Sequence, residues 1–239
     1  MIKYLEGTVF NAPAKTLVNT VNCFGIMGAG IALEFKLRYP EMFEEYEVMC
    51  ENKKMKTGIP RIYEYSENLW IMNFPTKNHW RYPSKMQWIE QGLKYFAENY
   101  KNRNIESIAF PKLGAANGGL EWNEVKSIME KYLSDVEIPV YICLNEKNEA
   151  EGTEREMLDG INSANLIEIY KHVGITKKAA EKVEENKNIN RFWQISKIKG
   201  ITAKSYKQIY EFFYKETAEY KKLHKSDDDK FSSEQLSLF

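Results

Sequence analysis

The chain has few of the residues that build covalent scaffolds and metal centres. Its three cysteines, Cys23, Cys50 and Cys143, lie far apart in 239 residues with no CxxC pair, and there are three histidines. Neither a disulfide framework nor a Cys/His zinc site is expected. Long apolar runs are absent as well: nothing approaches the roughly 18 to 20 residues that a membrane-spanning helix needs. The opening MIKYLEGTVF reads as a short strand and not as a signal peptide. These absences point to a protein of a reducing cytoplasm, without membrane contact and without a bound metal. Net charge is zero, with 34 basic and 34 acidic side chains. A hydrophobic fraction of 43% in a chain of this length supports one full core and a second, smaller unit.

Glycine is concentrated where it matters. The segment TLVNTVNCFGIMGAGIALEFKLRYP, residues 16–40, runs from an apolar strand through Gly25, Gly28 and Gly30 into helical spacing from Ile31, and Pro40 is expected to end that helix. The uncapped start of a helix binds anions through bare N–H groups and its positive dipole end, so a pyrophosphate suits this loop. By itself the GxxGxG spacing fits a phosphate site and a merely tight turn equally. It matches neither GxGxxG nor a Walker loop, since no GK[ST] follows. A second strand, loop and helix of the same kind is FPKLGAANGGLEW, residues 110–122, with Gly114, Gly118 and Gly119 in the loop and Glu121 in the first turn of the next helix. Two such loops can clamp one diphosphate.

Strand-like runs at residues 2–5, 16–21, 62–65, 69–74, 105–110 and 140–144 alternate with helical stretches. One helix opens with a capping box, Ser84 and Gln87, and repeats Trp88, Ile89, Leu93, Phe96 and Ala97 at core spacing. The fold class is α/β, with a mixed, largely parallel sheet, helices on both faces and ligands at the carboxyl ends of the strands.

The paired glycine loops, the VNTVN strand end at residues 18–22 and the segment NFPTKNHWR at residues 73–81 together resemble a macrodomain, most closely the DarG branch. The resemblance covers residues 1–150 and implies a three-layer α/β/α sandwich. It also implies an ADP-ribosyl glycohydrolase that removes ADP-ribose from bases in single-stranded DNA, as antitoxin to a cognate DarT-like toxin. A non-catalytic ADP-ribose reader and an ADP-ribose 1″-phosphate phosphatase are the alternatives. Read from its residues alone, Lys77 is a loop lysine of the kind that is usually a solvated charge. The family resemblance assigns the reaction to it, through its place in FPTK, and gives Asn22 the orientation of the distal ribose. ADP-ribose would be held by Thr8 and Val9 after the first strand, by Gly28, Ala29, Gly30, Ile31 and Ala32, by Pro75, Thr76 and His79, and by Leu113, Gly114, Ala115, Ala116, Asn117, Gly118, Gly119 and Leu120.

Three departures from the family pattern stand out. A related human enzyme pairs its lysine with an aspartate on the second loop, where this chain has Gly118, so electrostatic or proton-transfer help by Lys77 to an attacking water fits better than a covalent route. Thr8 replaces the usual Asp or Asn that helps read the adenine. Ala115 and Ala116 stand in a loop that usually reads GCGNGG, and a methyl restricts positive φ. His79 suits a loop hydrogen bonder and also a proton carrier near neutral pH. Cys23 beside the first loop reads as a half-buried thiol.

Residues 145–152, NEKNEAEG, read as a linker. Residues 171–225 carry fourteen Lys or Arg against six Asp or Glu, while residues 1–170 carry nineteen against twenty-four. A small basic helical unit is expected at residues 155–225, its aromatics mostly core and its charge either a solvated face or a surface for an acidic partner or nucleic acid. Residues 226–239 form an expected flexible tail ending in QLSLF. It resembles the bacterial sliding-clamp-binding peptide, with Gln235 hydrogen-bonding and Leu236, Leu238 and Phe239 as apolar anchors. The same five residues also suit a tail folded back on the protein.

Overall fold

Six strands form, β1 (Ile2–Leu5), β2 (Thr16–Asn22), β3 (Arg61–Ser66), β4 (Leu69–Lys77), β5 (Ile108–Pro111) and β6 (Val140–Cys143), in a computed structural model that describes residues 1–224. They pair in the order β1-β6-β5-β2-β4-β3. Every pair is parallel except β3 with β4, which the turn at Glu67 and Asn68 joins as a hairpin. Parallel neighbours need crossovers, and α1 (Gly30–Arg38), α2 (Pro40–Glu51), α3 (Met86–Asn99) and α4 (Trp122–Leu133) supply them. The period-2 alternation of β2 sorts the layers. Val18 joins Met72, Phe74, Ile89, Leu93, Val125 and Met129 in one cluster with α3 and α4. Asn19 faces the other way with Asn73, and the amide of Asn73 reaches Met42 of α2 at 3.3 Å. Helices thus cover both faces, and β4 is buried from Ile71 to Thr76, as a central strand with two covered faces should be.

Several boundaries differ from the sequence reading. Pro40 does not merely stop a helix: it is the first residue of α2, where a missing N–H costs nothing. Strand β4 continues through Pro75 to Lys77, with Val21 opposite Pro75 and Asn22 opposite Lys77. The capping box at Ser84 and Gln87 does not form. Helix α3 starts at Met86 with Lys85 as its cap, and the Ser84 amide donates instead to Gly118 O at 2.9 Å. Strand β5 begins at Ile108. The expected linker at residues 145–152 starts as sheet edge, since Leu144, Asn145 and Glu146 donate to Leu5, Gly7 and Glu6.

The sheet is built to split. From β2 the chain crosses to β3 and β4 on one side, while β5 lies on the other, so the connections diverge at this strand. Strands β2 and β4 stay paired over the whole of β2, whereas β2 and β5 pair only as Thr16 with Ile108 and Leu17 with Ala109. Above Leu17 a crevice opens at the carboxyl ends, the usual ligand position in such sheets.

Packing on the α3 face is close enough to dictate a glycine. A Cβ added at Gly92 would lie 2.3 Å from Cζ of the fully buried Phe74. Gly92→Ala is expected to destabilise the protein by about 1–3 kcal/mol, against the ~1 kcal/mol that alanine normally gains over glycine in a helix. Chemical denaturation measures it; an alanine variant as stable as the parent would contradict this packing.

The chain divides into two compact units, the first being Met1–Lys147 and the second beginning at Asn148. The second is helical: α5 (Thr153–Ser163), α6 (Leu166–Val173), α7 (Lys177–Glu184), α8 (Ala203–Lys215) and α9 (Ala218–Leu223). Its core contains Phe192, Tyr206, Tyr210, Phe213 and Tyr214, while Trp193 is exposed. A Gly-Ile-Thr turn occurs twice, at Gly174 to Thr176 and Gly200 to Thr202. Each glycine has positive φ, +81° and +98°, and each threonine hydroxyl accepts an amide at the start of the next helix. Among the described residues no helix is long and apolar enough to cross a membrane. The QLSLF segment, with Gln235, Leu236, Leu238 and Phe239, lies outside the described residues.

Candidate active site

The first glycine loop is fastened from below and bare on top. Met27 is buried and Asn22 threads its carboxamide into the loop, with Oδ1 accepting from Phe24 N at 2.9 Å and Nδ2 donating to Ile26 O at 2.6 Å. The Tyr46 hydroxyl donates to Asn22 O at 2.7 Å. Gly28, Ala29 and Gly30 are exposed, and no side chain caps the start of α1. Its first-turn N–H groups therefore face an anion site made of backbone alone.

The second loop folds without strain on its alanines. Positive φ falls on Gly114 (+66°) and Gly119 (+75°), so Ala115 and Ala116 need no left-handed conformation. Leu113, Gly114 and Gly118 are buried, Asn117 and Gly119 exposed. A Cβ at Gly118 would sit 2.1 Å from Gly114 O and 2.5 Å from Ser84 Oγ, which leaves no room for a carboxylate side chain at this position. Ser84 itself is buried and its hydroxyl has no hydrogen-bond partner among the described residues. The sequence reading missed this placement, because Ser84 also fits a helix-capping pattern.

Asn117 brings the pieces together. A Cβ at Gly30 would meet Asn117 Nδ2 at 2.7 Å, so the two loops are in contact there. The Lys77 amine donates to Asn117 O at 2.5 Å. Lys77 and Asn22 are opposite one another at adjoining strand ends, which places the amine between the loops. Partial burial holds the proton affinity of Lys77 below the ordinary lysine value of 10.5, because a desolvated ammonium is less stable. The other expected contacts divide. Thr8 and buried Val9 begin a short turn, Val9–Asn11, that packs on β2 and β5 at the crevice. Ile31 and Ala32 lie half-buried in the first turn of α1, and Leu120 closes the second loop by donating to Gly114 O at 3.1 Å. Pro75 and Thr76 are buried as the wall behind Lys77. His79 stands at the rim, where Nδ1 accepts from Arg81 N at 3.2 Å and its ring lies 4.4 Å from that of Phe24.

Thiol chemistry does not fit here. Burial pushes the Cys23 thiol up to about 12, far from the thiolate a nucleophile needs. Among the described residues no three His, Cys, Asp or Glu side chains gather as metal ligands. The arrangement offers two backbone cradles for a diphosphate and one partly desolvated amine at their junction.

Comparison with known proteins agrees with this geometry. A family profile, Macro domain, matches residues 18–129. The DNA ADP-ribosyl glycohydrolase of Thermus aquaticus is 42% identical over 142 residues, 57% of this chain and 39% of that one. The DNA ADP-ribosyl transferase-DNA ADP-ribosyl glycohydrolase fusion protein of Thermosipho africanus is 35% identical over 161 residues, 60% of this chain and 42% of that one. The chain thus spans less than half the length of these curated relatives. The solved macrodomain of Thermus aquaticus DarG aligns with TM-score 0.58 and 39% identity, over 60% of this chain and 98% of that one. A Thermosipho africanus DarTG structure in complex with ADP-ribose aligns with TM-score 0.59 and 37% identity, over 62% of this chain and 43% of that one. Through its first unit, the chain belongs to the macrodomain family, of the DarG type.

Proposed function

We propose that this protein is an ADP-ribosyl glycohydrolase that removes ADP-ribose from nucleobases in DNA and so acts as antitoxin to a DarT-like toxin in a bacterial cytoplasm. The observation that carries the reading is the junction at Asn117, which holds the Lys77 amine and touches the first glycine loop at Gly30. In this reading the diphosphate lies across the first turn of α1 and the Gly114 to Gly119 loop. Thr8 and Val9 border the adenine side, and the distal ribose reaches Lys77. The bond between C1″ and the base nitrogen breaks with its electron pair leaving on the base. Water adds its oxygen to C1″, and a proton reaches the departing base. The Lys77 ammonium supplies positive charge or that proton, and it needs no carboxylate at position 118. Asn22, committed to the loop backbone, serves as a positioning residue that fixes where the first cradle stands. The names of the relatives, glycohydrolase and transferase fusion, support the substrate and the toxin partner.

The cradle assignment has a direct test. Gly30→Glu puts a carboxylate where the diphosphate should lie and a side chain against Asn117, in a backbone with φ +57°. Calorimetry is expected to show ADP-ribose binding by the parent and at least a hundredfold weaker binding by the variant. Equal affinity would place the ligand elsewhere.

We assign the second unit, with its tail, to recruitment. The basic helices suit DNA or the toxin, and QLSLF suits the replication clamp, which would raise local concentration at single-stranded template. A protein ending at Lys147 is expected to hydrolyse free modified oligonucleotide at the rate of the full chain and to lose micromolar clamp binding. An inactive truncated protein, or clamp binding that survives, would contradict this division.

A further inference from the structure

Large aromatic side chains stand exposed beside the cleft, and the fold does not need them there. Phe24 is 55% exposed, Trp80 42% and Tyr82 65%. They gather around His79, whose ring lies 4.4 Å from Phe24, 5.7 Å from Trp80 with a 23° interplanar angle, and 5.4 Å from Tyr82. Pairing of Asn22 with Lys77 explains the grouping. Phe24 is two residues past the end of β2 and His79 two past the end of β4, so both segments leave the sheet side by side at the lysine.

Cations stand against the rings of this patch. The Arg81 guanidinium lies over the Trp80 ring at 4.7 Å and the Lys85 amine over Trp88 at 5.1 Å. Residues 7–33, 68–89 and 111–120 contain no Asp or Glu and carry Lys15, Lys77, Arg81, Lys85 and Lys112; the nearby acids come from elsewhere, Glu47 of α2 beside Gly25 and Glu146 paired with Lys112 at 2.6 Å. Exposed π-faces interleaved with cations suit a ligand that offers flat rings along an anionic backbone. A duplex keeps its ring faces stacked inside; a single strand presents them.

We propose that Phe24, Trp80 and Tyr82 form a stacking platform for the bases of a single-stranded nucleic acid that flank the modified base, while Arg81 and Lys85 meet the phosphates. This deepens, and rests on, the reading of the neighbouring cleft as the ADP-ribose site. The platform sets which macromolecule enters and in which direction it lies, and it leaves the reacting bond to Lys77.

The test uses the full chain and a Trp80→Ala/Tyr82→Ala double variant, both exposed positions, with unmodified twelve-nucleotide oligothymidine as probe. At a salt concentration that suppresses purely ionic contacts, fluorescence anisotropy is expected to show the double variant binding the single strand at least tenfold more weakly than the parent. Affinity for free ADP-ribose should stay within twofold. On ADP-ribosylated oligonucleotide the variant should raise KM with little change in kcat, and duplex should bind the parent more weakly than single strand. Unchanged oligothymidine binding by the variant, or equal binding of duplex or of an acidic peptide by the parent, would overturn the proposal. If the single strand needs Trp80 and Tyr82 but ADP-ribose binds nowhere, the platform stands and the cleft reading falls.

Discussion

Lys77→Ala is expected to lower turnover of ADP-ribosylated single-stranded DNA by about 10²- to 10⁴-fold, the range for loss of a positioned proton donor or charge, while ADP-ribose binding changes little. The two effects separate because the cradles are backbone: neither the first turn of α1 nor the Gly114 to Gly119 loop relies on a lysine to meet a diphosphate. Loss of kcat with affinity retained is the mark of an interaction made mainly in the transition state. The pH dependence has a fixed sign. Burial lowers the proton affinity of Lys77, so activity that uses the ammonium should fall as pH rises through a value below 10.5, and the alanine variant's residual rate should lack that limb. Stability moves oppositely: in the same interval the unfolded chain holds more protons, so the Lys77 contribution to stability rises with pH. Undiminished release of ADP-ribose by the variant would remove Lys77 from the reaction.

Gly118→Ala is the second large effect, and it acts through shape. The new methyl would meet Gly114 O at 2.1 Å and Ser84 Oγ at 2.5 Å, both on well-packed elements. Either the loop shifts or Ser84 retreats with the start of α3, and the Asn117 junction moves with them. Overpacking of this kind costs about 1–3 kcal/mol, which corresponds to a loss of roughly 5- to 150-fold if it falls on ligand affinity. Calorimetry with ADP-ribose, alongside a denaturation curve, shows where the cost is paid. A variant that binds as tightly and unfolds as late as the parent would contradict the described loop. For the same reason an aspartate at this position should not add a carboxylate to the reaction.

Glycine spacing made the cradles legible. Gly25, Gly28 and Gly30 mark the first turn and Gly114, Gly118 and Gly119 the second, and an apolar run before each fixes a strand. Local patterns misled where tertiary pairing took over. Ser84 and Gln87 satisfy a capping rule, yet the Ser84 amide is used by Gly118 O. Pro40 looks like a stop and is a start. Pro75 looks like the end of a strand, but β4 has β2 as its partner there and continues to Lys77. The sequence singles out Asn22 but not its geometry: its carboxamide turns down into the loop, which depends on how residues 23–26 fold back. The aromatic rim was not legible at all as a unit. Phe24 and His79 meet only because Asn22 and Lys77 are in register, a fact of pairing that no spacing along the chain records.

The most direct measurement of the central claim follows both partners of the cleaved bond. Single-stranded oligonucleotide carrying one ADP-ribosylated base is incubated with the protein, and products are resolved by mass spectrometry. One free ADP-ribose is expected for each oligonucleotide restored to its unmodified mass, with the Lys77→Ala protein bound to the substrate but leaving it intact. An oligonucleotide that keeps its ADP-ribose, or that sheds only AMP or phosphate, would contradict it.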